Sequence, residues 1–178
     1  AGASSTRAIG GLGGYAEFTL PADTGGYVMF GLNYGDTNQH FADIDYAFYA
    51  YPAGGGVSMY EQGVNVGWIG PYTDGDKLRI TIDSGQVKYW RNGELLYTSG
   101  QLVASTLRVD TSLYTTGAVI QQATLAGANL VSVVPILPTQ PVAWVNMAGV
   151  SVSIPGNDLA RTTGSGWSAG ASSTMGIA

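Results

Sequence analysis

Residues 77–99 read KLRITIDSGQVKYWRNGELLYTS, and this stretch decides the fold. Leu78, Ile80 and Ile82 recur at every second position, as do Val87 and Tyr89, and Leu95 and Tyr97 repeat the spacing after a further break. A period of two is that of a strand with one face buried and the other in water. Ser84-Gly85 and Asn92-Gly93 separate the runs, and Asn-Gly supplies the positive φ that a tight hairpin turn needs. The spacing predicts a three-stranded meander with the rest of the chain packed around it.

Working outward, the same signals recur. Tyr15–Leu20 and Asp43–Tyr51 alternate, with Ala16, Phe18 and Leu20, then Ile44, Tyr46, Phe48 and Ala50, on one face. Tyr27–Leu32 is denser in apolar side chains and predicts a central strand covered on both faces. Further strands are expected at 57–61, 64–69, 107–113, 118–125, 142–154 and 159–163, with NYGDTNQH (33–40) as a polar loop. Residues 1–14 and 164–178 are small and glycine-rich and read as flexible. No apolar run at helical spacing is flanked by capping residues. Many short strands at this spacing predict an all-β fold, a two-sheet antiparallel β-sandwich of jelly-roll type.

The 178 residues suffice for one domain with a sizeable core. Residues 1–130 form the expected sandwich body. VSVVPILPTQP (131–141) carries three of the seven prolines and reads as a linker or connection. Residues 142–178 are expected to complete this sandwich or a neighbouring copy. Charged residues make up only 11% of the chain, against roughly 25% in ordinary domains, and polarity comes instead from Gly, Ser, Thr and Asn. A net charge of −5 with seven scattered basic residues argues against a nucleic-acid partner. Cysteine is absent, so disulfides and thiolate metal sites are excluded. No apolar run reaches the ~18–20 residues of a membrane span, and no basic-then-apolar leader opens the chain. This composition leads us to expect a secreted or cell-surface protein.

The hexapeptide AGASST at 1–6 recurs letter for letter at 169–174, and Ile9 matches Ile177 at the same offset. Small-residue tracts also repeat by coincidence; the alternative is a tandem array. The proline-rich stretch would then divide the units, with a unit starting near Val142, running through Trp167 and continuing into the next AGASST. Residues 142–178 cannot bury a core alone. They must close on their own chain, as in a circularly permuted sandwich, or enter a neighbour by strand complementation, which would build head-to-tail polymers.

YVMFGL (27–32), DIDYAFY (43–49), VKYWRNGELLYTS (87–99) and LRVDTSL (107–113) resemble the bacterial concanavalin A-like and SPRY-like domains. Those carry the pattern GL…DIDYAIY…VKYxxNGxxxYTS…LxVDxSL. The resemblance covers roughly residues 15–125, and Trp144 to Trp167 looks like the family's opening segment displaced to the end. It implies a two-sheet jelly roll from large secreted, repetitive proteins, serving as a carbohydrate-binding or adhesion module. Fold alone does not fix function.

Candidate site residues fall into two groups. Flat aromatic faces with polar neighbours suit a sugar ring, and Tyr34, Tyr49, Trp68 and Trp90 are the candidates for glycan contact, with Tyr60 and Tyr72 also near loops. For any one of them, core packing is the competing reading. Asp43 and Asp45, about 7 Å apart if on one strand face, join Asp36 and Asn33 as candidate oxygen ligands for calcium, the sole cofactor considered; solvated or backbone-bonded carboxylates are the alternative. Catalysis is not expected. His40 is the only histidine, no Gly-x-Ser-x-Gly elbow has a partner set, and GGLGG (10–14) precedes no helix that would make it a phosphate cradle. The laminarinase-like E-x-D-x-x-E pattern fails, with Asp at 43 and Phe at 48. The expected function is a non-catalytic adhesion or carbohydrate-binding module of a tandem-repeat protein. Its partners would be a glycan or cell-surface ligand and neighbouring copies. The alternative is a structural protomer assembled head to tail by exchanging terminal strands.

Overall fold

The computed structural model describes residues 1–10, 13–130, 140–141, 144–152, 159–162 and 164. In chain order the strands are β1 (Gly2–Ile9), β2 (Gly13–Thr19), β3 (Val28–Asn33), β4 (Tyr46–Tyr51), β5 (Gly56–Glu61), β6 (Val64–Gly70), β7 (Lys77–Asp83), β8 (Gln86–Arg91), β9 (Glu94–Leu102), β10 (Leu107–Leu113), β11 (Val119–Gly127), β12 (Gln140–Pro141), β13 (Trp144–Ala148), β14 (Val150–Val152) and β15 (Leu159–Arg161). A single 3-10 turn, Phe41–Asp43, is the only helical element among the described residues.

Two antiparallel sheets result. One runs β13-β1-β10-β3-β4-β5-β6 and the other β14-β15-β11-β2-β7-β8-β9, with β12 beside β11. The predicted meander is β7-β8-β9. Its turns take positive φ at Ser84 and Gly85 (51° and 82°) and at Asn92 and Gly93 (52° and 85°), the geometry that matches the twist of the flanking strands. Asn92 anchors its turn further: Oδ1 accepts from Lys77 N at 2.9 Å and Nδ2 donates to Asp76 at 2.7 Å.

The core lies between the sheets, where the alternation placed it. Phe18 of β2 meets Phe30 of β3 with ring centroids 4.3 Å apart, and Phe48 of β4 meets Tyr89 of β8 at 5.3 Å. All four rings are fully buried, and burying each Phe side chain contributes about 1.5–3 kcal/mol. The sandwich is thus the fold the sequence predicts.

Three local expectations fail. Residues 1–14 do not begin as a flexible tail: β1 is a buried strand seated between β10 and β13. Asp43 does not lie on a strand, because the 3-10 turn at Phe41–Asp43 delays β4 until Tyr46. Leu95 does not share the inner face with Tyr97. Tyr89 lies opposite Tyr97 but Trp90 lies opposite Leu95, so one extra residue bulges β9 there and turns Leu95 outward, 46% exposed.

Beyond residue 130, β13 pairs with β1, and β15 joins β14 to β11. Arg161 reaches back to donate to the carbonyls of Leu113 and Tyr114. The repeated hexapeptide at 169–174, Trp167 and prolines 135 and 138 lie outside the described residues.

Candidate functional site

The two sheets present different outer faces. On the eight-stranded sheet, Glu17 and Arg79 stand opposite each other, joined at 2.6 Å, with Lys77 3.7 Å from the same carboxylate. The Arg79 guanidinium also lies 4.2 Å over the Tyr15 ring. On β8, Trp90 donates to Thr81 Oγ1 at 2.9 Å. This is a solvated face with charges paired across strands.

The seven-stranded sheet carries tyrosines instead. On β4, Tyr46, Phe48 and Ala50 enter the core, so Tyr49 and Tyr51 point outward. Register then aligns the outward residues in rows. Ser112, Met29, Tyr49, Ser58 and Trp68 lie opposite one another across β10, β3, β4, β5 and β6. In a parallel row, Asp110 faces Gly31, Gly31 faces Ala47, Ala47 faces Tyr60 and Tyr60 faces Asn65. Tyr27 and Tyr114 meet at the end of the sheet, where Tyr114 N donates to Tyr27 O at 3.0 Å.

These rings touch in sequence. Tyr27 lies 6.0 Å from Tyr114, 6.0 Å from Tyr49 and 5.8 Å from Tyr51; Tyr49 lies 4.6 Å from Tyr51 and 5.7 Å from Tyr60; Tyr51 lies 5.6 Å from Trp68. Several pairs are edge-to-face, the arrangement the ring quadrupoles prefer. Trp68 is 56% exposed, and Tyr27 and Tyr114 are 37% and 36% exposed. The indole is nonetheless held in place, because it lies across the backbone of Gly56. A Cβ there would fall 1.9 Å from Trp68 Cη2, and the φ of +126° is one that residues with side chains avoid. Burial, reinforced by Tyr51, Tyr27, Tyr60 and Tyr114, pushes the Tyr49 phenol well above its ordinary range. Its hydroxyl therefore stays neutral and can both donate and accept.

The loop between β3 and β4 forms one side of this surface. Its Phe41 and Ile44 pack on Met29, Ala47, Tyr49 and Tyr60, and His40 stacks on Phe41 at 4.5 Å while its Nδ1 accepts from Ala42 N. Beneath the loop, one carboxylate oxygen each of Asp36, Asp43 and Asp110 lies within 4.8 Å of the others. Asp110 is buried and accepts from Asn33 Nδ2 at 2.9 Å and Thr111 N at 2.7 Å. Burial pushes its carboxyl well up, partly offset by Asn33 and increased by Asp36 and Asp43. Asp36 accepts from Ser4 Oγ at 2.9 Å, and Asp43 from Thr37 N at 3.0 Å and Thr37 Oγ1 at 2.5 Å. Three clustered carboxylates form a donor set of the kind hard divalent cations use. Here protein donors already satisfy many of their lone pairs.

The candidates separate accordingly. Tyr49 and Trp68 share the aromatic surface. Tyr34 does not: its hydroxyl lies 3.4 Å from that of Tyr46 and accepts from Ala104 N at 3.1 Å, packed against the core. Trp90 is on the opposite sheet. Tyr72 is buried, donating to Tyr51 O at 2.7 Å. Asp36 and Asp43 come together, but their companion is Asp110. Asp45 accepts from Tyr34 N at 2.9 Å, away from the cluster, and burial raises its carboxyl. Sequence reasoning missed Tyr27, Tyr51 and Tyr114. The period-two spacing of Tyr49 and Tyr51 was the available signal.

No family model matches the chain, and no curated protein matches it; the SPRY-like part of the resemblance therefore rests on the quoted residues alone. Among solved structures, the chain is similar to alginate lyase AlgAT5 from polysaccharide lyase family 7, with 17% identity and a TM-score of 0.43 over 61% of this chain; it spans about half (50%) of the lyase's length. It is also similar to a toad ovary galectin in complex with thio-digalactose, with 10% identity and a TM-score of 0.37, covering 62% of this chain and 89% of the galectin. The sandwich assignment stands on the sheet topology itself.

Proposed function

We propose that the chain is a non-catalytic carbohydrate-binding module of a secreted or surface protein, and that the outer face of the seven-stranded sheet is its glycan platform. One observation carries this reading: six aromatic rings, Tyr27, Tyr49, Tyr51, Tyr60, Trp68 and Tyr114, are in continuous contact across three strands, the segment before β3 and the segment after β10. The most exposed ring, Trp68, packs directly over Gly56. A pyranose offers C–H patches rimmed by hydroxyls; aromatic rings meet the first, while phenol groups meet the second. Tyr and Trp supply contact area at low entropic cost. The acidic loop beside the platform disfavours anionic sugars, so neutral glycans are the expected class. The lectin-like role and extracellular placement also accord with the low-charge, Ser/Thr/Asn-rich composition.

A glycan array spanning neutral and uronic-acid oligosaccharides, with thio-digalactose included, tests this. The intact protein should retain a neutral glycan, and Trp68→Ala should weaken retention at least tenfold, about 1.4 kcal/mol, with the near-UV circular dichroism of the core unchanged. Trp90→Ala, on the other sheet, should bind normally. Failure of the intact protein to bind any glycan, or equal losses from the two tryptophan variants, refutes the assignment.

A further inference from the structure

The slot filled by β1 is fitted to a particular run of side chains. Ala1 and Ala3 are fully buried in the core, and in a close-packed interior a larger side chain at either place would have to displace its neighbours. Thr111 Oγ1 accepts from Ala3 N at 2.7 Å and donates to Ala3 O at 2.8 Å. Ser5 Oγ accepts from Val109 N at 3.0 Å and donates to Arg7 O at 2.6 Å, and Ser4 Oγ donates to Asp36. Ile9, fully buried, is the one large apolar side chain of the strand. An occupant therefore needs small residues at positions 1 and 3, hydroxyls at 4 and 5, and isoleucine at 9.

Residues 169–178, AGASSTMGIA, meet every one of these requirements. They match residues 1–6 and 9 identically and depart at only three places. Met175 replaces the half-buried Arg7, Gly176 removes one methyl relative to Ala8, and Ala178 replaces Gly10. The backbone nitrogen of Ala1 donates to Leu113 O at 2.7 Å, a bond that the peptide N–H of Ala169 can also make.

We propose that residues 169–177 are a second β1 strand, and that they seat in the slot between β10 and β13 of another copy of this chain, joining copies head to tail. Each chain carries two such strands and one slot. Exchange between copies can remake the hydrogen bonds and buried contacts of positions 1–6 and 9, where the two segments are identical. The same logic underlies strand complementation at sheet edges and open, heterologous assembly. The slot is separate from the aromatic platform, so this inference is independent of glycan binding.

The absence of cysteine makes the test clean. Ala8 stands opposite Arg108, and Gly176 is the counterpart of Ala8. Full-length Arg108→Cys and Gly176→Cys variants are unfolded in denaturant, mixed, refolded together and oxidised. A disulfide-linked heterodimer is expected, together with a weight-average mass of the unmodified chain that rises with concentration in sedimentation. An Ala8→Cys/Arg108→Cys chain, which should close an internal disulfide, confirms that the slot tolerates the probe. No heterodimer, a constant monomer mass, or an Arg108→Cys/Gly176→Cys chain that closes only on itself would each overturn the proposal.

Discussion

Adding one methyl group at Gly56 should dismantle the aromatic platform while leaving the sandwich folded. The new Cβ would lie 1.9 Å from Cη2 of Trp68, 2.4 Å from Cζ2 and 2.8 Å from Cζ3, far inside van der Waals contact, so the indole must swing away. The backbone adds a cost of its own, because φ at Gly56 is +126° and such conformations cost L-residues about 1–3 kcal/mol. Gly70 separates the two effects. Its φ is +90°, and an added Cβ would meet nothing within 4 Å. Gly56→Ala and Gly70→Ala should therefore each lose about 1–3 kcal/mol in urea denaturation. Only Gly56→Ala should also lose glycan retention, at least tenfold, and change the acrylamide quenching of Trp68 fluorescence. Retention by Gly56→Ala equal to that of the unmodified protein would refute the reasoning, as would an equal loss in Gly70→Ala.

Other consequences concern stability. Phe18→Ala should cost about 3–5 kcal/mol, since the ring is fully buried against Phe30; a loss under about 1 kcal/mol would contradict that packing. Burial acts to raise the Asp76 carboxyl, but Asn92, Thr73 N–H and Arg91 outweigh it and hold the group below its ordinary range. Its contribution should be present at neutral pH and lost as pH falls through the depressed value, and Asp76→Asn should remove that part of the acid-unfolding curve. Glu61 behaves oppositely. Burial raises its carboxyl against a Ser99 hydrogen bond, and Oε1 has no partner. Its folded form binds a proton more readily than the unfolded chain, so stability should decline as pH rises from the ordinary glutamate range through the raised value. In Glu61→Gln, equilibrium denaturation across that range should show the decline flattened, and an unchanged slope would count against the assignment.

The meander was legible because its information is local: two-residue turns at Ser84-Gly85 and Asn92-Gly93 and strict alternation between them. β1 was not, because a strand of Ala, Ser and Gly buried by neighbours on both sides carries no polar–apolar rhythm. Asp43 looked like a strand residue because the 3-10 turn is only three residues long and its N-cap is His40, outside the Ser/Thr/Asp/Asn set that signals a cap in sequence. Half of the platform could be read from Tyr49 and its period-two neighbour Tyr51. Joining them to Trp68 required the irregular β5–β6 register, which no local pattern encodes. Asp110, at an ordinary polar position on β10, became part of the acidic cluster only through the loop folded over it.

The seating of β1 also bears on how the molecule folds. The hydrogen bonds between Ala1 and Leu113 close a sequence separation of 112 residues, and β13 on the other flank is farther still. Contacts this remote are won only after a large loop-closure entropy has been met, which slows folding. The hairpins β7-β8-β9 and β3-β4-β5-β6 can form early from neighbouring segments, whereas β1 must wait for β10. Until then the β10 edge is an unpaired row of backbone donors and acceptors, and the length of that interval sets how long a folding intermediate stays open to aggregation.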